Sequence, residues 1–319
     1  MKLSKERLLQ EAGATGFRPE SLEKVIRLVG LLNGIFSQPL LRDRLVLKGG
    51  TALNLFLFDV PRLSVDIDLN YIGAVSREGM DAERPDLERR LQRVFEAEGF
   101  AVRRVPVEHA GGKWQLRYAG AQGQGGNLEV DLNYMHRVPL EPIRFQDSRT
   151  LGSFQAKEIP VVGLHDLAAG KLIALLDRSA ARDVFDAAGL FSHPDLDMDL
   201  LRLPFVVMGA MSRIMDLRMA TPEQAQMAES DFDRMVRPLL RPGRHVQDLA
   251  SIQTSAREGL ARLLPLRTHE VSFIEALWDR GDIHPELLTA DTAVQSSIAV
   301  MPLLQWKAQH VRSYRGLDR

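Results

Sequence analysis

The chain has 319 residues, of which 45% are hydrophobic and 26% are charged, with a formal net charge of −1. This composition predicts one large or two ordinary packed domains and argues against a protein whose whole surface binds nucleic acid, although a local basic patch remains compatible. The absence of cysteine excludes disulfides, thiolate metal sites and cysteine nucleophiles. No apolar run approaches the roughly 20 residues of a membrane span, and the N-terminus lacks a signal-peptide pattern, so we expect a cytoplasmic protein without a membrane partner.

The first half of the chain is predicted to mix helices and strands. Apolar residues at helical spacing, with Pro19 at the start, predict a helix over residues 19–37. The other predicted elements are, in chain order, a strand at 45–47, a helix at 51–58, a strand at 63–72, a helix at 85–98, strands at 100–107, 113–118 and 127–135, and a last strand at 154–161. Residues 119–126 are dominated by glycine, glutamine and alanine, which predicts a hairpin connection.

After residue 160 the apolar residues follow mainly helical spacing, and prolines separate the predicted helices. A mixed sheet followed by helices predicts an α+β fold. We therefore expect an N-terminal helical extension at 1–38, a mixed β-sheet domain with flanking helices at 39–159, and a mainly helical C-terminal domain at 160–319.

Two predicted strands carry acidic residues on one face. Asp66 and Asp68 are two residues apart on a strand, so both side chains project to the same side, and two like charges there favour a bound cation. The alternating pattern around Asp131 predicts that this residue is a third acidic ligand. Glu129 lies on the same face and is the alternative candidate. Carboxylate oxygens suit Mg²⁺, and two such ions about 3.5–4 Å apart clamp the attacking and leaving oxygens of a displacement at phosphorus.

A glycine pair precedes the short helix predicted at 51–58. Gly49 and Gly50 allow the backbone to approach a phosphate closely, and Thr51 opens a helix whose N–H groups and dipole favour anions. Lys48 adds a point charge, and Ser64 shares the strand face of the aspartates. A phosphate turn beside a metal site predicts an NTP substrate and nucleotidyl transfer.

Three motifs make the chain resemble the nucleotidyltransferase-like AbiEii/AbiGii toxin family. The first is the Lys-Gly-Gly-Thr segment Lys48–Leu53, and the second is the Arg-x-Ser-x-Asp-Ile-Asp segment Arg62–Leu69. The third joins the lysine and apolar run Lys171–Leu176 to the Arg-Asp-x-x-Asp segment Arg182–Asp186. The resemblance spans about residues 45 to 190 and implies that the domain at 39–159 has a nucleotidyltransferase-like fold.

The resemblance also implies roles for individual residues. It gives catalytic roles to Asp66, Asp68, Lys171 and Asp183, and NTP binding to Lys48, Gly49, Gly50, Thr51, Ser64 and Lys171. It implies that Lys171 binds the triphosphate from across the cleft, and that Asp183 either orients Lys171 or contacts the incoming substrate.

The resemblance implies a Mg²⁺-dependent toxin that transfers NMP from NTP to RNA, with the 3′ acceptor end of tRNA as the expected acceptor, and so blocks translation. It also implies a cognate antitoxin as partner. The residues alone imply only NTP and metal. Transfer to a protein or a small molecule therefore stays open, and so does a non-catalytic NTP-binding component of a toxin–antitoxin module.

Clusters of arginine offer candidate RNA contacts. They lie at positions 89, 90, 93, 103 and 104, at 234, 237, 241 and 244, and at 312, 315 and 319. The last cluster is interleaved with Trp306 and Tyr314, which could stack an end base. The alternative is a solvated helix face on which arginine pairs with nearby Asp and Glu.

Overall fold

The computed structural model of the chain describes residues 3–104, 111–241, 243 and 248–316. These residues divide into two compact units. The first takes in the described residues of Met1–Arg137, Ile143–Val162 and Val236–Val246, and the second those of Val138–Pro142, Gly163–Met235 and Gln247–Arg319. Within the described part of the chain, no helix combines the length and the apolar character that crossing a membrane requires.

The first unit is built on a mixed β-sheet. Its strands are β1 (Leu45–Lys48), β2 (Asp66–Tyr71), β3 (Ala101–Arg104), β4 (Gly111–Ala119), β5 (Gly125–Asn133), β6 (Arg144–Gln146) and β7 (Ile159–Val161). They lie in the order β3-β4-β5-β2-β1-β7-β6. The pairs β2–β5 and β1–β7 are parallel and the other neighbouring pairs are antiparallel. This mixed sheet with helices confirms the predicted α+β class.

The first unit also contains helices. They are α1 (Lys5–Thr15), α2 (Pro19–Phe36), α3 (Pro39–Arg44), the short α4 (Gly49–Thr51), which continues as a π-helix over Ala52–Leu57, and α5 (Arg77–Ala97). Helix α2 buries an apolar stripe that includes Val25, Ile26 and Leu32, and it contacts β5 and β7. Ile67 and Leu69 of β2 are buried, whereas the alternate residues Asp66 and Asp68 are half-buried. The alternation therefore turns the acidic residues of β2 to the other face.

The second unit is helical among its described residues. It contains α6 (Leu164–Arg178), α7 (Ala181–Phe191), α8 (Met198–Met211), α9 (Glu229–Met235), α10 (Leu249–Ala261), α11 (Thr268–Glu275), α12 (Thr292–Ala299) and α13 (Pro302–Arg315). Helix α11 continues as a π-helix over Ala276–Arg280, and short 3₁₀ turns lie at Leu217–Met219, Pro222–Gln224 and Pro285–Leu287. The 3₁₀ turn Arg237–Leu239 belongs to the first unit.

Several predicted elements differ in extent from those observed. The predicted helix at 85–98 begins at Arg77, because Ser76 caps it by accepting a hydrogen bond from Gly79 N, and the proline taken as its start lies inside it. The predicted strand at 154–161 is reduced to β7, and β6 was not predicted. The hairpin between β4 and β5 is confirmed. Residues 105–107 of the strand predicted at 100–107 lie outside the described residues.

A buried ion pair connects two helices of the second unit. Arg202 of α8 donates from Nε to Glu270 Oε1 at 2.6 Å and from Nη2 to Oε2 at 2.8 Å. Both residues are less than a tenth exposed. Glu270 also accepts a hydrogen bond from the backbone N–H of Arg267 and so caps α11. A two-pronged pair of this kind holds both charges in one geometry.

Removing the charge of Glu270 is predicted to weaken this unit. Glu270→Gln leaves the Arg202 guanidinium buried without a carboxylate, so the free energy of unfolding should fall by about 3–5 kcal/mol. Denaturant titration followed by circular dichroism measures the change. Glu286→Gln, at an exposed carboxylate that pairs with His284, is the control and should leave the midpoint unchanged. An unchanged midpoint in Glu270→Gln would contradict the stabilising role of the pair.

Candidate active site

Three adjacent strands bring charged residues into one row across the sheet. Lys48 of β1 lies directly opposite Asp68 of β2, and Asp68 lies directly opposite Asp131 of β5. Asp66 pairs in the same way with Glu129. Directly opposed residues on neighbouring strands share a face, with Cβ atoms roughly 4.5–5.5 Å apart. We call Lys48, Asp68 and Asp131 the acidic row, after its two aspartates. The strand register alone brings these three residues together.

The charges of this row act on one another. Burial raises the pKa of Asp131 above its ordinary value, and the charge of Asp68 raises it further, while Lys113 and Lys48 offset part of the increase. Lys113 Nζ lies 3.8 Å from Asp131 Oδ2 and 3.4 Å from Glu129 Oε2. Burial alone would lower the pKa of Lys113, but the carboxylates of Glu129, Asp131 and Asp66 raise it overall. Lys113 was not predicted as a site residue, because it alternates on β4 with buried residues as any exposed residue does.

The side chains of the acidic row can be compared with the ligands that the divalent ions of nucleotidyl transfer require. Across the described residues, no three Asp, Glu or His side chains are grouped closely enough to hold a metal ion as they stand. The donor set nevertheless suits Mg²⁺, because it offers hard carboxylate oxygens and Mg²⁺ keeps several water ligands. Asp68 and Asp131 lie directly opposite each other on neighbouring strands, so their like charges repel, and a cation between them would offset that repulsion. The residues therefore fit the ion.

The glycine turn lies against Asp68. Gly49 has φ of +72°, and a Cβ there would overlap the Asp68 carboxylate. A Cβ on Gly50 would come within 2.8 Å of Ser64 Oγ and 3.4 Å of Arg62 Nη2. Both positions therefore need glycine, the first for its backbone conformation and the second for space. The turn thus packs closely against a carboxylate, a hydroxyl and a guanidinium.

The side chain of Thr51 holds the glycine turn in place. Its side chain is fully buried, and Oγ1 donates to the backbone carbonyl of Asp66 at 2.5 Å. Asn54 Nδ2 donates to the carbonyl of Gly50 at 2.9 Å. These bonds fasten the turn to β2 and to its own helix. A hydrogen bond from the Thr51 hydroxyl to a phosphate would require it to leave the Asp66 carbonyl, and phosphate binding at Thr51 stays a prediction.

A returning segment of the chain supports the loop that carries Ser64. Leu63 N donates to the carbonyl of Leu239 at 2.7 Å, and Arg241 N donates to the carbonyl of Pro61 at 3.1 Å. Between them Arg62, 2% exposed, forms a β-bridge with Leu240. The returning segment, Arg237–Arg241, was predicted to lie within the helical domain. Its contacts with the loop could not be read from local periodicity.

Lys171 and Asp183 lie in the second unit. Lys171 Nζ is 2.9 Å from Asp183 Oδ1 and 3.0 Å from Asp186 Oδ2, and all three residues are buried. Arg178 Nε reaches Asp183 Oδ2 at 2.7 Å. Burial would raise the pKa of Asp183, but the charges and hydrogen bonds of Lys171 and Arg178 lower it overall. The cluster thus holds Lys171 in one position, and its phosphate-binding role stays a prediction.

Comparison with known proteins places the chain in a family. The family model described as the nucleotidyl transferase AbiEii toxin of a type IV toxin–antitoxin system matches residues 30–256. Among solved structures, the chain is similar to MenT4, a nucleotidyltransferase toxin from Mycobacterium tuberculosis H37Rv, with a TM-score of 0.63 and 21% identity. That match covers 94% of this chain and 99% of MenT4, and at this identity it shows the fold.

A search of curated proteins gives no significant match. The family match covers the acidic row, the glycine turn, the Lys171 cluster and the returning segment. Because it extends over more than half of the sequence, the chain belongs to the AbiEii family of nucleotidyltransferase toxins.

Proposed function

We propose that this protein is a Mg²⁺-dependent toxin that transfers NMP from NTP to RNA, with the 3′ acceptor end of tRNA as acceptor. The observation that carries the proposal is the acidic row of Lys48, Asp68 and Asp131 beside the glycine turn. A metal–triphosphate complex would interact with both features: the cation would offset the repulsion between Asp68 and Asp131, and the backbone N–H groups of the glycine turn would bind phosphate.

In the proposed reaction, the acceptor hydroxyl oxygen forms a bond to the α-phosphorus as the bond from that phosphorus to the bridging oxygen breaks. Pyrophosphate leaves, and the hydroxyl proton is lost. Bound Mg²⁺ would supply charge neutralisation at the phosphoryl oxygens, held by Asp66, Asp68 and Asp131. The backbone N–H groups of Gly49 and Gly50 would bind the triphosphate, and Ser64 would add a hydrogen bond.

Two kinds of support bear on the acceptor and the partner. Membership of a toxin–antitoxin family supports a cognate antitoxin as partner. The choice of tRNA rests on the family resemblance alone, and nucleotides added to its 3′ end would prevent aminoacylation and so block translation. Because tRNA is cytoplasmic, we propose that the protein acts there.

The central prediction concerns the two aspartates of β2. Asp66→Asn and Asp68→Asn should each lower nucleotide incorporation at least 100-fold, because each removes a charge that we propose holds the cation. Purified protein is incubated with Mg²⁺, radiolabelled NTPs and either tRNA or total lysate protein, and the label is followed. Asp43→Asn, at an exposed residue of α3, is the matched control. If Asp68→Asn labelled tRNA as strongly as the wild type, the site assignment would be refuted. If the wild type labelled protein instead of tRNA, tRNA would be refuted as the acceptor.

Asp131 and Glu129 can be separated by stability as well as by activity. Asp131→Asn removes the repulsion with Asp68, so its thermal midpoint in EDTA should rise above that of the wild type. Mg²⁺ should raise the midpoint of the wild type but barely that of Asp131→Asn. Differential scanning fluorimetry with and without Mg²⁺ measures both. Glu129→Gln should keep the Mg²⁺ response and most activity, and the reverse pattern would assign the ligand to Glu129.

The role of Lys171 needs a test that separates folding from phosphate binding. Lys171→Met leaves Asp186 buried without its lysine, so stability and incorporation should both fall. In the double variant Lys171→Met with Asp186→Asn, Arg178 still pairs with Asp183, and stability should recover. Incorporation should remain at least 100-fold below the wild type. Recovered activity in the double variant would make Lys171 a structural residue only.

A further inference from the structure

Helix α13 exposes an aromatic face to solvent. Trp306, His310 and Tyr314 are spaced four residues apart, which places them along one side of the helix. Trp306 is 39% exposed and Tyr314 is 87% exposed, and His310 is exposed as well. The opposite side of the helix, with Leu304 and Ala308, is buried. The aromatic side chains are thus not needed for the core of the unit.

Part of this face is already arranged as a stack of planar groups. The rings of Trp306 and His310 are parallel within 7°, with centroids 5.2 Å apart. The guanidinium carbon of Arg213 lies 5.1 Å from the Trp306 ring centroid. We call Arg213, Trp306 and His310 the ring stack. Its members are pre-ordered side chains to which a further planar group can add.

The charge around the ring stack favours an anionic partner. Within the described part of the chain Arg213 has no carboxylate partner, and α13 contains no acidic residue. Arg312 and Arg315, predicted from sequence as RNA contacts, are instead paired with Asp282 and Asp279. Arg319 of the same predicted cluster, and Arg244 of another, lie outside the described residues.

Polar residues lie next to the aromatic ones in the sequence of α13. Gln305, Gln309 and Ser313 are exposed on α13 among the rings. An interface for an apolar protein segment would offer a continuous hydrophobic patch instead. Separate rings beside Arg213, which has no carboxylate partner among the described residues, suit the binding of single-stranded nucleic acid. Every base has a face that can stack on a ring, and every phosphate linkage carries a negative charge.

We propose that the ring stack and Tyr314 form a base-stacking site for the unpaired 3′ end of the RNA acceptor. This inference rests on the proposed function, because it assigns a binding surface to the acceptor of that reaction. Arg213 supplies the cation for the backbone, and the rings bind bases without reading their sequence. The site distinguishes an unpaired RNA end, whose bases can offer both faces, from a blunt duplex, whose bases are paired and expose only the outer face of the terminal pair.

The test measures RNA binding in the Asp68→Asn background, so that no nucleotide is transferred. A hairpin RNA with a four-nucleotide 3′ overhang and the same hairpin with a blunt end are titrated at one fixed salt concentration by fluorescence anisotropy. The overhang RNA should bind more tightly. Trp306→Leu and Tyr314→Ala should each weaken overhang binding about tenfold, equivalent to about 1.4 kcal/mol, without changing blunt binding.

Two controls accompany these variants. Trp306→Phe keeps an aromatic ring and should stay within about threefold of the parent affinity. Phe145 is also an aromatic residue beside an arginine: it is 57% exposed, and the guanidinium carbon of Arg42 lies 4.9 Å from the ring centroid. Phe145→Leu should leave the affinity for both RNAs unchanged. Circular dichroism checks folding, and Tyr314 is so exposed that its loss cannot disturb the core.

Unchanged overhang affinity in both Trp306→Leu and Tyr314→Ala would overturn the inference. Equal losses for overhang and blunt RNA would overturn it as well, because they would indicate general backbone binding. A change in oligomeric state on Trp306→Leu at unchanged RNA affinity would assign the face to a second copy of the chain. If the overhang preference holds but the wild-type protein incorporates no nucleotide, the proposed function fails and the RNA site stands.

Discussion

The opposition of Asp68 and Asp131 is the constraint around which this part of the first unit is arranged. Parallel pairing of β2 with β5 sets the two carboxylates side by side, and burial makes the charged form of Asp131 costly. A protein selected only for stability would place an apolar or amide side chain there. The pair is held instead between Lys48 on one edge of the row and Lys113 beyond the other, which lessens the repulsion without removing it. A cation would remove the remainder.

The glycine turn is fixed by the same row. Gly49 can approach only because it has no Cβ to meet the Asp68 carboxylate, and Gly50 needs the same space beside Ser64. Thr51 and Asn54 fasten the turn by hydrogen bonds to the backbone rather than to a ligand. The phosphate-binding candidates and the metal-binding candidates are therefore one packed assembly, in which a side chain at Gly49 would displace the Asp68 carboxylate and one at Gly50 would displace Ser64.

Local patterns were sufficient to predict the class of fold and the residues that share a strand face. Alternation on β2 and β5 placed Asp66, Asp68, Glu129 and Asp131 on one side of each strand, as the structure has them. It could not give the register that sets Asp68 opposite Asp131, because these strands pair across a long stretch of intervening chain. Burial of Arg62 was equally unpredictable, since arginine is exposed by default.

The returning segment has a consequence for how the protein is made. The loop before β2 obtains its backbone partners, Leu239 and Arg241, from residues that follow it by more than half the length of the chain. A ribosome synthesises Lys48 to Ser64 long before it reaches them. The nascent polypeptide therefore carries the loop before β2 without these backbone partners until most of translation is complete, and a chain that stops before Leu239 lacks the contacts that hold this loop.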